Sequence, residues 1–144
     1  MAKVLFDTSA LIPVVIDQLE RHETALHRFT QERDQGATLC CSTHTLAECY
    51  AVMTALPLPK RISATEASHL IEANFIQHLT AIDLTSEDYA RAIQLCASKH
   101  RISGQIYDAL HIVAALKEGC ETAYTYNLDH FESLAAGKIR VALP

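Results

Sequence analysis

Several features of a membrane, secreted or extended protein are missing from this sequence. No apolar run approaches the roughly 18 consecutive residues of a membrane span. Met1-Ala2-Lys3 leads straight into a short strand-like run, with no secretory signal. Four Gly and four Pro in 144 residues are too few for a low-complexity linker. Basic excess is also missing: 12 Lys and Arg stand against 17 Asp and Glu, a formal charge of −5. That balance argues against a nonspecific nucleic-acid coat. It leaves room for an enzyme whose clustered acids hold divalent cations, because bound ions cancel part of the charge. No CxxC pair occurs. The five cysteines, Cys40, Cys41, Cys49, Cys96 and Cys120, are odd in number and sit in apolar runs. They read as buried thiols of a reducing cytoplasm, not as a disulfide framework or a zinc site. A cytoplasmic protein without a membrane segment is therefore expected.

What is present is an alternation of short apolar strands with helices. Lys3–Phe6, Thr38–Ser42, Leu79–Leu84, Thr122–Tyr126 and Ile139–Leu143 read as strands. Between them, Ala10–Ile16, Glu20–Gln35, Thr43–Leu56, a stripe from Ser63 to Phe75, Glu87–His100, Ile106–Glu118 and Asp129–Ala136 read as helices. Ser63 with Glu66 spells a capping box. Pro57 and Pro59 end the third helix and Gly119 the sixth. Apolar strands alternating with helices predict an α/β fold, a mainly parallel sheet covered on both faces, in one domain spanning residues 1–144. Sites in such sheets form outside the carboxyl ends of the strands.

Three acids stand where such a site would draw on them. Asp7 directly follows the first strand; it is either the N-cap of the next helix or a ligand aimed into a cleft. Glu48 sits among Leu46, Ala47, Cys49, Tyr50, Ala51 and Val52. Thr45-x-x-Glu48 is readable as a capping box, but the apolar surroundings favour a carboxylate turned inward for a cation. Asp108 opens an apolar helix, where it complements the helix dipole or joins the same cleft. His111, three residues on, reads as a packed or hydrogen-bonded helix histidine. Together the acids suggest one site for Mg²⁺ or Mn²⁺, hard ions that prefer carboxylate and water oxygens. Such ions activate water for phosphodiester cleavage. Lys60-Arg61 and Lys99-His100-Arg101 are local basic clusters that would meet RNA phosphates or remain solvated.

The ordered motifs resemble the PIN-domain nucleases, and within them the VapC-like toxins of toxin–antitoxin pairs. The resemblance lies in Val4-Leu5-Phe6-Asp7-Thr8-Ser9-Ala10-Leu11 and in Thr45-Leu46-Ala47-Glu48 leading into Tyr50-Ala51-Val52. It continues through Leu56-Pro57-Leu58-Pro59-Lys60-Arg61, Ile106-Tyr107-Asp108-Ala109-Leu110-His111 and Thr125-Tyr126-Asn127-Leu128-Asp129. It implies a three-layer α/β/α sandwich and metal-dependent cleavage of RNA by Asp7, Glu48 and Asp108. It also implies a homodimer and a cognate antitoxin. One departure stands out: where many relatives carry a fourth acid, this chain has Asn127, with Asp129 two residues further. Asn127 is expected to reach the site and Asp129 to cap the following helix, although a second cation would prefer the anion. A binding module with weakened catalysis or a housekeeping nuclease are the other readings. The haloacid-dehalogenase pattern fails because Ser9 stands where it needs a second Asp.

Overall fold

A computed structural model describes residues 2–144. Among them, five strands form one sheet: β1 Lys3–Phe6, β2 Thr38–Ser42, β3 Thr80–Ile82, β4 Thr122–Tyr124 and β5 Arg140–Ala142. Seven α-helices join them: α1 Thr8–Val15, α2 His22–Asp34, α3 Thr43–Ala55, α4 Ala64–Ile71, α5 Ser86–Ser98, α6 Gln105–Glu118 and α7 Leu128–Ala135. A single π-helical turn, Glu72–Ile76, extends α4 and carries the buried Phe75 inward. The strand order is β3-β2-β1-β4-β5, and every pairing is parallel. No helix among the described residues is long and apolar enough to cross a membrane.

Strand alternation builds the two cores. Val4 and Phe6 of β1 and Leu39 and Cys41 of β2 pack with Leu11, Phe29, Met53 and Ile71 from α1 to α4. Leu5 and Cys40 point the other way, onto Ala92, Leu110, Ile112 and Phe131 of α5, α6 and α7. Successive side chains of a strand face opposite sides, so strands that are apolar throughout need helices on both. The result is the expected three-layer sandwich. Helix α6 is buried from Ala109 to Ala115, which explains its nearly uninterrupted apolar sequence. All five cysteines are buried and unpaired.

Local chemistry sets the element ends. Asp7, Ser42, Ser63 and Thr85 each cap a helix through a side-chain oxygen. The fourth strand is shorter than the sequence predicts. Past Tyr124, the Thr125 hydroxyl accepts from the Asn127 N–H at 2.9 Å and the chain turns away.

Asp88 ties α5 to α6. Its Oδ2 accepts from the Thr85 N–H at 2.8 Å and from Lys117 Nζ at 2.8 Å, and Arg91 Nη1 donates to Oδ1 at 3.0 Å. The Lys117 bond above all holds the Asp88 carboxyl at about 2, below its ordinary 3.8. A carboxylate with a depressed folded value stabilises the fold above its ordinary value, and that contribution is lost as the pH falls through about 2. Urea unfolding should therefore show Asp88→Asn less stable than the wild type at pH 7. The two curves should converge as the pH is lowered through that window; a constant gap would point to packing alone.

The sheet positions the site. From β1 the chain moves outward to β2 and β3 on one side and later returns to β4 on the other. The carboxyl ends of β1 and β4 therefore flank a topological switch point, where helices leave for opposite faces and a crevice opens. Phe6 pairs with Tyr124, and the Asp7 N–H donates to the Tyr124 carbonyl at 3.2 Å. Asp7 and Thr125 consequently stand side by side at the head of that crevice.

Candidate active site

Asp7 caps α1 and stands at the head of the crevice. Its Oδ1 accepts from the Ala10 N–H at 2.9 Å and from Ser9 Oγ at 2.7 Å, and its Oδ2 accepts from Thr125 Oγ1 at 2.6 Å. Neither Thr8 nor Ser9 takes over the capping. Ser9 Oγ also accepts from the Tyr126 N–H at 2.9 Å, which locks the start of α1 to the end of β4. Asp7 is 1% exposed, and burial pushes its carboxyl up; the His111 charge and the three hydrogen bonds pull it back only in part.

Glu48 lies well inside α3, because Ser42 caps this helix and Thr43 begins it. A capping box on Thr45 is thereby excluded. Thr45 Oγ1 instead bonds with Ser42 Oγ at 3.0 Å and His111 Nδ1 at 3.2 Å. The opposite ring nitrogen, His111 Nε2, is 3.3 Å from Glu48 Oε1. The alignment is too poor for a full hydrogen bond, so Glu48 Oε1 is buried without one. His44 Nε2 is a further 3.6 Å neighbour of that oxygen. Asp108, on the first turns of α6, meets His130 Nδ1 at 3.2 Å through Oδ2.

His111 organises these acids. Its ring is 2% exposed and stacks 5.9 Å from Phe131. Burial alone would lower its basicity; Glu48, Asp7 and Asp108 together outweigh that and raise it above its ordinary 6.5. Burial likewise works to raise Glu48, but interaction with His111 prevails and holds its carboxyl below the usual value. Burial pushes Asp108 up, with His111 and His130 opposing. The structure therefore brings Glu48, inside α3, to within 3.3 Å of the His111 imidazole, while Asp7 after β1 and Asp108 on the first turns of α6 act on the same ring electrostatically. The sequence reading of His111 as a packed or hydrogen-bonded helix histidine agrees with its burial and its bond to Thr45, but did not pair it with the acids. The available signal was a lone titratable side chain in a helix otherwise apolar and buried.

The crevice above is a cavity of about 580 Å³. Thr8, Ser9, Ile12, Pro13, Arg21, Glu48, Val52 and Asn127 are among its lining residues. Thr8 Oγ1, like Glu48 Oε1, is buried without a hydrogen bond. Asn127 occupies the N-cap position of α7 but makes no side-chain cap, so its amide is not committed there. Asp129 lies in the first turn of α7, not at the cap as the sequence suggested. It is exposed and lines an adjoining hollow with Tyr126, His130 and the shared Asn127. The predicted basic residues are not at this cavity. Lys60 and Arg61 line another one, of about 520 Å³, with Gln18 and Glu66. Lys99 ends α5. Arg101 Nη2 donates to Ser133 Oγ at 2.6 Å.

A hard divalent ion suits this donor set. The donors are carboxylate oxygens, and one of them, Glu48 Oε1, is buried without a hydrogen bond. Among the described residues no three His, Cys, Asp or Glu side chains are gathered closely enough to enclose an ion by themselves. Mg²⁺ does not require that, since it keeps several waters and binds through one or two carboxylates.

Residues 4–137 match the PIN domain family. Ribonuclease VapC27 of Mycobacterium tuberculosis (strain ATCC 25618 / H37Rv) is 31% identical over 117 residues, covering 81% of this chain and 80% of that protein. The crystal structure of VapC20 from Mycobacterium tuberculosis, described as a Sarcin-Ricin loop cleaving toxin, aligns with a TM-score of 0.73 at 19% identity. That alignment covers 93% of this chain and 95% of the other. VapBC2 from Rickettsia felis, solved bound to a DNA fragment from its promoter, aligns with a TM-score of 0.69 at 16% identity. It covers 99% of this chain and 98% of that one. The two structures are likenesses of fold.

Proposed function

This chain belongs to the PIN-domain family, and on that premise we propose that it is a metal-dependent endoribonuclease, the toxin of a toxin–antitoxin pair. One observation carries the reading beyond family membership. Glu48, which lines an open cavity, lies 3.3 Å from His111, and Asp7 and Asp108, far from it in sequence, act electrostatically on the same ring near the switch point of the sheet. A purely structural protein has no use for three partly buried acids in one place, because each costs desolvation. The substrate is an RNA phosphodiester. The partners are a cognate antitoxin, as in the toxin–antitoxin assemblies that share the fold, and a second copy of the chain. Tyr89 and Ile93, one turn apart on α5, are exposed and supply an apolar face for that copy.

Asp7, Glu48 and Asp108 would hold Mg²⁺ or Mn²⁺. Such an ion, when bound, supplies an activated water and charge stabilisation at the phosphate. The chain's own residues prepare the place. Ala10, Ser9 and Thr125 occupy three of the four acceptor positions of Asp7 and leave one, on Oδ2, for an ion. Thr45 and Ser42 orient the His111 ring, which holds Glu48 at the cavity wall. The test is cleavage of structured RNAs by the purified protein with Mg²⁺, Mn²⁺ or EDTA. Cleavage with either ion and none in EDTA is the expected result; undiminished cleavage in EDTA would sink the mechanism.

A second reading, a binding module with weakened catalysis, draws on Asn127. This neutral amide lines the cavity beside Glu48, where the family pattern has an acid. A weak or missing second ion is its natural consequence. Asn127→Asp should then tighten Mn²⁺ binding in calorimetry and raise the cleavage rate, while Asp129→Asn should cost little of either. An inactive Asp129→Asn beside an unaffected Asn127→Asp would assign the fourth position to Asp129.

A further inference from the structure

An RNA enzyme whose centre is built from carboxylates must hold a polyanion against its own charge. The four basic residues singled out in the sequence do not line the cavity that carries Glu48. Arg21 is the one cation among its lining residues. We propose that Arg21 is a substrate-binding residue that grips an RNA phosphate at the mouth of the acidic crevice, an inference that rests on the ribonuclease reading.

The geometry around Arg21 supports this in three ways. Its guanidinium lies over the Tyr126 ring, 4.1 Å from the centroid. Stacking on a ring face fixes the plane of the guanidinium and leaves its N–H edge free to fork onto a phosphate. Among the described residues no carboxylate lies within ion-pairing distance of it, although Glu20 is its neighbour in sequence and also lines the cavity. An arginine exposed, unpaired and yet held in place is arranged for an external anion. Third, its support is tied to the centre. The Tyr126 N–H donates to Ser9 Oγ at 2.9 Å, and Ser9 Oγ donates to Asp7 Oδ1 at 2.7 Å. Whatever positions Asp7 therefore also positions the platform on which Arg21 rests. Ile12, Pro13, Leu19 and Val52 make up the apolar part of the wall, and Glu20 and Glu48 are its two carboxylates.

The experiment compares wild type, Arg21→Gln, Arg21→Lys and Tyr126→Leu. Binding of a fluorescent single-stranded RNA oligonucleotide is measured by anisotropy in EDTA across a salt series, and cleavage kinetics are measured with Mn²⁺. Loss of one phosphate contact should make the slope of log affinity against log salt shallower by about 0.7 in Arg21→Gln. Its affinity should fall roughly tenfold. KM should rise while kcat stays within a few-fold. Arg21→Lys should regain the salt slope but not the full affinity, since it restores charge without the fork. Tyr126→Leu, which frees the guanidinium, should weaken binding without changing the slope. All variants should melt as the wild type does. A wild-type slope in a folded Arg21→Gln protein that still binds RNA overturns the inference and leaves the ribonuclease reading standing. A wild-type protein that neither binds nor cleaves RNA overturns both.

Discussion

Asp7→Asn is expected to abolish RNA cleavage while leaving the protein folded. Activity with Mn²⁺ should fall roughly 100- to 1000-fold, the scale on which single electrostatic partners of a reacting centre act. The reason for intact folding is visible in the hydrogen bonds. An Asn at this position keeps an oxygen to accept from the Ala10 N–H and from Ser9 Oγ. Its amide group can donate to Thr125 Oγ1, whose hydroxyl rotates to suit. The substitution also removes a charge whose ionisation burial opposes. Stability in EDTA should therefore be equal or higher than in the wild type. Asp7→Ala separates the roles, for it removes the cap as well and should cost about 1 to 2 kcal/mol of stability. Cleavage rates and urea unfolding of the two variants, side by side, make the check. Full activity in a folded Asp7→Asn protein would remove Asp7 from the chemistry. A collapse of its stability would make the cap its main purpose.

The second large effect is expected at His111. Its Nε2 lies 3.3 Å from Glu48 Oε1, its Nδ1 is bonded to Thr45, and Asp7 and Asp108 act on it electrostatically. His111→Ala should destabilise the metal-free protein by about 3 to 5 kcal/mol, the cost of leaving a buried charged group without its partner. The lost ring volume against Phe131 adds to it. Mn²⁺ should then stabilise the variant more than the wild type, because a cation replaces the missing positive charge among the same carboxylates. Thermal melts with EDTA and with Mn²⁺ test this. If His111→Leu proved as stable as the wild type, with the same response to Mn²⁺, the ring would be filler and the acids would be balanced elsewhere.

Much of the architecture was legible from local pattern. Strand and helix periodicities identify every strand and helix, usually to within two residues, because burial on both faces leaves a continuous apolar signature. The cap at Ser63 could be read directly, since a side-chain oxygen with an acid three residues on satisfies the backbone of its own helix, and the structure shows the same device at Thr85 and Asp88. Asp7 stood out because a strand-end carboxylate has two ready uses; the structure shows the cap and bonds its other oxygen to Thr125 at the head of the crevice. Glu48 was harder. Its alternative, a box on Thr45, depended on where α3 begins, and a start one turn earlier changes its role.

The sequence alone determined the layers, the parallel sheet and the types of residue available for chemistry, because periodicity and capping are short-range and each is written in adjacent residues. It did not determine which side chains meet. That His111 meets Glu48 and feels the charge of Asp7 and Asp108 follows from how α6 lies on the sheet relative to β1 and α3. That Arg21, and not Lys60 or Arg101, lines the acidic cavity depends on the path of the chain between α1 and α2. Whether Asn127 or Asp129 faces Glu48 is set by a turn that a threonine hydroxyl closes. Only the tertiary structure decided these. Convergence of distant side chains is fixed by how the elements pack and by strand register, which no local pattern encodes.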